Sequence, residues 1–256
     1  MIRVAAAQFR STNDPVENTL AVERWARRAV DAGAQLLVCP EATMVNFRTK
    51  LAPHAEQFDG RFATALRRIA SENGLWLVAG MFEPSGDGRV HNTVVATDGE
   101  ALHAYRKINL YDAFGSQESR TVTPGTERVT FDALGTTIGL ACCYDVRFAE
   151  HFIGLRRDGA KLVVLPASWS DGPRKVEQWE LVVRARAMDS QSHLIAADQS
   201  GNTTGDDKGA PLGAGHSMAI GPLGEVHARL GAEDDLLVAD LDLETVEQAR
   251  RTIPMN

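Results

Sequence analysis

Residues 136–148 read Thr-Thr-Ile-Gly-Leu-Ala-Cys-Cys-Tyr-Asp-Val-Arg-Phe. The apolar, β-branched run over 135–142 predicts a strand, and a helical pattern over 148–158 follows almost at once. So short a link makes a strand-to-helix unit of the kind from which α/β sheets are built. It leaves Cys143 at the carboxyl end of its strand, the end at which open α/β sheets bind ligands. Two other stretches end the same way. Glu41 follows Gln35-Leu-Leu-Val-Cys-Pro40, and Lys107 follows Glu100-Ala-Leu-His-Ala-Tyr-Arg106.

Outward from these, strands are predicted over 2–9, 35–39, 75–82, 90–97, 100–107, 128–131, 161–165, 193–199, 216–220 and 235–241. Helices are predicted over 16–32, 59–73, 175–190 and 243–251. The first helix has Leu20, Ala21, Trp25, Ala29 and Val30 at helical spacing, start signals in Asn13-Asp14-Pro15 and a stop at Gly33. The three runs between 75 and 107 leave no room for helices, so antiparallel pairing is expected there. The stretch 201–215, rich in Gly, Asp and Thr, reads as a lid or a plain connection. No low-complexity linker or fixed-period repeat divides the chain, and residues 1–256 are expected to form a single domain.

Of 256 residues, 44% are hydrophobic and 24% charged, which fits a globular protein with a sizeable core. The 27 basic residues against 34 acidic ones give a net charge of −7, and the arginines are scattered. Nucleic acid and anionic membrane are therefore poor partners. No apolar run reaches the roughly 18 residues of a membrane helix, and the N-terminus reads as a strand, not a signal peptide. Three cysteines without a C-x-x-C spacing argue against a disulfide framework or a zinc site, which makes the cytoplasm the default location.

An acid, an amine and a thiol meeting in one crevice make coherent chemistry. An unperturbed thiol, with a pKa of about 8.5, is mostly protonated at neutral pH. A carboxylate within reach takes its proton as general base. An ammonium stabilises the thiolate and then the oxyanion of a tetrahedral intermediate. The start of the following helix offers N–H groups to Cys143, with that of Tyr144 a candidate oxyanion donor. Cys39 and Cys142 are expected as small buried hydrophobes, Cys142 turned to the face opposite Cys143.

The words Cys39-Pro40-Glu41, Tyr105-Arg106-Lys107 and Cys142-Cys143-Tyr144-Asp145-Val146-Arg147-Phe148 strongly resemble the nitrilase superfamily of carbon–nitrogen hydrolases. Val4-Ala-Ala-Ala-Gln-Phe9, Leu165-Pro-Ala-Ser-Trp169, Arg184-Ala-Arg-Ala-Met188 and Gly215-His-Ser-Met-Ala-Ile-Gly-Pro222 extend the likeness from about residue 2 to 242. The resemblance implies an α/β fold, an αββα sandwich that dimerises into an αββα–αββα stack or a higher homo-oligomer. It implies Glu41 as general base, Lys107 as stabiliser of the oxyanion and Cys143 as nucleophile. In Gln117-Glu118-Ser119, Glu118 matches a second glutamate that orients the lysine or the substrate amine. No metal or organic cofactor is implied. The residues after Lys107 are most similar to the amidase branch with omega-amidases and deaminated-glutathione amidases, which implies hydrolysis of a small linear amide to a carboxylate and ammonia through an acyl-thioester on Cys143.

Nitrile or N-carbamoyl hydrolysis would use the same trio, and a catalytically silent binding module would keep the same fold. Thr43 and Asn46, where related amidases often have bulkier groups, bear on the substrate. Trp169 is a candidate pocket wall and equally a core residue. Arg174 and Lys175 read as a solvated helix start or a carboxylate grip, and Arg147 as one half of a structural ion pair. Two rivals are weaker. Gly215-His-Ser217-Met-Ala219 approaches a serine-nucleophile elbow, but acid and histidine do not follow in the required order. His151 as a partner for Cys143 is indistinguishable from an ordinary helix residue.

Overall fold

The computed structural model describes residues 1–201 and 212–255. Most of the stretch 201–215, expected as a lid or connection, thus lies outside the described residues. Two six-stranded sheets lie face to face. The first runs β12 (Asp235–Leu241), β1 (Ile2–Gln8), β2 (Leu36–Val38), β3 (Trp76–Pro84), β4 (Val90–Thr97), β5 (Leu102–Arg106). The second runs β11 (Val226–Arg229), β10 (Met218–Ile220), β9 (His193–Asp198), β8 (Leu162–Ala167), β7 (Thr136–Leu140), β6 (Val129–Ala133). In each, three neighbouring strands are parallel (β1–β2–β3 and β7–β8–β9), with antiparallel strands at the flanks. The expected antiparallel pairing over 75–107 is the β3–β4–β5 meander.

Side-chain alternation divides each strand between two cores. On β1, Val4 and Ala6 face the second sheet together with Leu36, Val38 and Val78. Ala5 and Ala7 face the other way, with Leu37, Leu77 and Ala79, against α1 (Pro15–Asp31) and α2 (Arg61–Asn73). On the far side, α3 (Ala149–Arg157) and α4 (Lys175–Ser190) cover the second sheet through Phe152, Leu155, Trp179 and Val183. This is the αββα order. Strands β8 and β9 are buried along their whole length because both faces are covered. The last helix, α5 (Glu244–Thr252), is fastened to the second helical layer by Arg250, whose guanidinium donates to the Ala160 carbonyl at 2.6 Å.

Helix α1 begins and ends as its sequence signals require. The Asp14 carboxylate accepts from the Val16 N–H at 2.8 Å, Pro15 is its first residue, and Gly33 follows it at φ 77°. Its buried stripe is Asn18, Val22, Trp25, Ala26 and Ala29, however, and Leu20 and Val30 are exposed. The buried Asn18, which donates to the Met44 carbonyl, lies on the inner stripe where an apolar residue was expected, and the stripe is rotated from the one read in the sequence. Strand β11 was not expected. It is a four-residue, mostly exposed edge whose register slips against β10, so it has no apolar run to announce it.

Strand β3 supports a turn at the end of β2. The Gly80 carbonyl accepts from the Met44 N–H, and its own N–H donates to the Pro40 carbonyl. A Cβ at Gly80 would lie 2.5 Å from the Ala42 nitrogen and 3.0 Å from the Glu41 Cα. Gly80→Ala is therefore expected to lower the unfolding free energy by about 1–3 kcal/mol, measured by urea denaturation.

Candidate active site

Three chain segments leave the carboxyl ends of their strands and converge. After β2 the chain turns through Glu41, whose N–H donates to the Ala167 carbonyl across the sandwich, and Ala42 takes a left-handed φ of 55°. After β5, the Lys107 N–H is held by the Asn92 carbonyl of β4 at 2.8 Å. After β7, Cys142 is extended, and Cys143 starts a 3-10 turn, Cys143–Arg147, at φ 41°. A non-glycine residue in that region is strained and persists only where its surroundings hold it. Here Asp145 does so. Its carboxylate accepts from the Cys142 N–H (2.8 Å), the Tyr105 hydroxyl (2.7 Å), and the backbone and side-chain nitrogens of Asn109.

The side chains meet on buried ground. Lys107 Nζ donates to Glu41 Oε1 at 2.9 Å and to both oxygens of Glu118, at 3.2 and 3.0 Å. Asn92 Nδ2 bridges the same two carboxylates, at 2.7 Å to Glu41 and 3.0 Å to Glu118. The Tyr111 N–H fixes the other oxygen of Glu118. Glu41 Oε2 accepts from the Ser168 N–H at 3.0 Å, and the Cys143 thiol also reaches this carboxylate. The structure thus brings Glu41, Lys107, Cys143 and Glu118 together. Asn92, Ser168 and Tyr111 escaped the sequence reading. Asn92 lies inside β4, and only its pairing opposite the end of β5 brings it here.

The electrostatics keep the thiol protonated at rest, although the ammonium was expected to favour its thiolate. Burial works against the charge on Glu41, but the Lys107 ammonium and the donors around it prevail and hold its carboxyl below the usual value of 4.5. Burial likewise opposes the charge on Lys107, and Glu118 with Glu41 raises it well above the ordinary lysine range. The Cys143 thiol is pushed well up, first by burial and then by Glu41, with Lys107 only partly opposing. One ammonium already serves two carboxylates, so a thiolate beside them would be a surplus negative charge. The resting site is a neutral thiol, an ionised Glu41 and an ammonium.

Above them opens a cleft of about 740 Å³. Glu41, Lys107, Glu118 and Cys143 line its floor, with Tyr111, Phe114, Tyr144 and Trp169 on its walls. Trp169 is both wall and core: its ring packs on Trp179, the Arg147 guanidinium lies 4.7 Å from its centre, its indole N–H donates to the Lys175 carbonyl and its backbone N–H to the buried Asp198. Arg147 makes no ion pair among the described residues and donates instead to Gln178. Of the pair at the helix start, Arg174 is exposed and bound to Glu177, whereas Lys175 lines the cleft. Thr43 and Asn46 turn away from it into backbone hydrogen bonds, and the residues after them, from Phe47 to Leu51, form that wall.

Ser217 and His151 are buried outside the cleft. Ser217 is engaged with Gln8 and Asp198, and His151 lies against the Leu140 carbonyl. Cys39 is the inert hydrophobe expected, in the core under α1 and α2. Cys142 is not: its Sγ lies 3.3 Å from Glu41 Oε1. Strict alternation fails because the chain leaves the extended conformation at the next residue.

The family model for carbon-nitrogen hydrolases matches residues 3–251. The chain belongs to the carbon-nitrogen hydrolase family. Within it, the chain is 47% identical to Hydrolase Rv0480c of Mycobacterium tuberculosis (strain ATCC 25618 / H37Rv), over 98% of this chain and 93% of the relative. It is 32% identical to human omega-amidase NIT2, over 99% of this chain and 93% of that one. Among solved structures, the amidase of Nesterenkonia sp. AN1 matches with a TM-score of 0.82 and 28% identity, covering 98% of both chains, in a form showing Michael addition of acrylamide at its active-site cysteine. A further form of that amidase, in complex with butyramide, matches with a TM-score of 0.83 and 28% identity over 98% of this chain and 95% of the other. Among the described residues of this carbon-nitrogen hydrolase, no helix is long and apolar enough to cross a membrane.

The paired charges make stability pH-dependent. The folded pKa of Glu41 lies below its ordinary value, so the ionised carboxylate contributes its full stabilisation above about 4.5 and loses it as pH falls through the lowered folded value. Unfolding free energies measured between pH 7 and pH 3 are expected to drop on that acid side, and Glu41→Gln is expected to flatten this part of the curve.

Proposed function

We propose that the protein hydrolyses small linear amides to a carboxylate and ammonia. The observation that carries this is the meeting of thiol, carboxylate and ammonium on the floor of one cleft. In this reading Cys143 Sγ attacks the amide carbon, and its proton passes to Glu41 Oε2. That transfer moves negative charge from oxygen to sulfur and then to the substrate oxygen without adding any to the site. The oxyanion is stabilised by Lys107 Nζ and by the Tyr144 N–H. Glu41 hands the proton to the leaving nitrogen, ammonia departs, and a water deprotonated by Glu41 cleaves the thioester. Glu118 and Asn92 hold Lys107 and Glu41 in register throughout. The solved amidase modified at its active-site cysteine, and its complex with butyramide, support both the nucleophile and the substrate class. The protein is also proposed to work as a homodimer.

The rim favours an acid at the far end of the acyl chain. It carries Lys50 and Lys175 against Asp171, on a protein of net charge −7. The Lys175 ammonium lies 4.0 Å from the centre of the Phe114 ring and 5.5 Å from that of Trp169, with no carboxylate partner among the described residues. An ammonium so placed gains from an incoming carboxylate.

Two measurements test these readings. Cys143→Ala, assayed by ammonia release over a panel of amides, nitriles and N-carbamoyl compounds, is expected to lose at least about a thousandfold in turnover. Intact mass spectrometry of the wild type is expected to catch an acyl adduct on the peptide that contains Cys143. Turnover confined to nitriles or carbamoyl compounds would overturn the amide assignment. Lys175→Met is expected to raise KM about tenfold more for an amide with a terminal carboxylate than for its uncharged analogue of equal length. Equal effects on both would remove the acid preference.

A further inference from the structure

The carboxylate of Glu41 has more donors than a simple triad requires. Asn92 Nδ2, Lys107 Nζ and Cys142 Sγ all point at Oε1, at 2.7, 2.9 and 3.3 Å, whereas Oε2 has the Ser168 N–H at 3.0 Å. An oxygen with two lone-pair directions and three donors has no room for a further proton. Oε2 retains one open direction, and the Cys143 thiol lies within reach of this carboxylate. From this we infer that Cys142 is a positioning residue: its thiol donates to Glu41 Oε1, keeps that carboxylate ionised and leaves Oε2 as the oxygen that takes the proton of Cys143. The inference rests on the proposal that Glu41 is the base.

The geometry around Cys142 supports a fixed donor. Its side chain is fully buried, and its N–H is tied at 2.8 Å to Asp145, itself held by Tyr105 and Asn109. Burial, with Glu41 next in effect, pushes this thiol well above the ordinary range, so it keeps its proton wherever the enzyme works. An adjacent cysteine that ionised would compete with Cys143 for Lys107, and one that stays protonated can donate to Glu41 while its sulfur accepts from the Asp145 N–H. The charged and titratable groups facing Glu41 are Lys107 from the end of β5, Glu118, Cys143 and Asp198, with Asp145 on the far side of Cys142. The Cys142 sulfur also accepts from the Asp145 N–H, so the thiol's donation to Glu41 is separated from that second contact by the serine variant, which keeps both a donor and an acceptor.

Two readouts test this. The first is the S–H stretching band of Cys142 in the resting protein, assigned by its loss in Cys142→Ala. Donation to an anion lowers this frequency, so the band is expected to rise in Glu41→Gln. The second is the acid limb of kcat/KM, measured where circular dichroism shows each variant folded. In Cys142→Ala and in the near-isosteric Cys142→Val, the limb is expected to move up by about half a unit to one unit, and in Cys142→Ser, which keeps a donor, by less than half as much. A band unmoved in Glu41→Gln, a limb unmoved in both the Ala and Val variants, or a Ser variant that shifts as far as Ala overturns the inference. Failure of the base assignment looks different: Glu41→Gln would then retain turnover, whatever the variants at Cys142 do.

Discussion

The site depends on one ammonium buried between two carboxylates. Taking Lys107, Glu41 and Glu118 out of water costs several kcal/mol for each ion, and only mutual attraction with fully used hydrogen bonds offsets this. The arrangement comes close to both: Lys107 donates to both acids, Asn92 bridges them, and the Ser168 and Tyr111 N–H groups take further lone pairs, with one direction of Glu41 Oε2 left open. Its charge count sets the state of the neighbouring sulfur. Two acids against one base leave the cluster negative, so Cys143 stays a thiol until a substrate offers its electrons somewhere to go. A thiol held buried and neutral is also shielded from the side reactions that an exposed thiolate invites.

The scaffold supplies rigidity where the cluster needs it. Parallel central strands of both sheets end on the same side, so turns from opposite layers of the sandwich face one another. Two of these turns contain residues in the left-handed region, Ala42 and Cys143. Each is held by something that cannot move: Ala42 by the absence of a side chain at Gly80, Cys143 by the web around Asp145. Strain of this kind is sustained by the buried strands on either side, and it aims Glu41 and Cys143 at a common point.

Much of this was legible in the chain. The order and type of nearly every strand and helix follow from periodicity and from Gly, Pro and Asp at the boundaries, because those signals are local. Glu41, Lys107 and Cys143 stood out because each ends an apolar run. Asn92 and Ser168 did not, since an amide inside a strand and a backbone N–H after one become ligands of a carboxylate only through strand pairing and sheet packing. Lys175 and Arg174 are neighbours with the same charge. One enters the cleft and the other the solvent because of the helix's orientation, which no local pattern encodes.

The sequence by itself determined the alternation of strands and helices, the three candidate side chains and the family, because each is written in residue type and spacing along the chain. Tertiary structure alone decided the protonation of Cys143, the contact of Cys142 with Glu41 and the place of Lys175 in the cleft. Those are set by distances between charges and donors that lie far apart in sequence, and such distances exist only after the two sheets have packed.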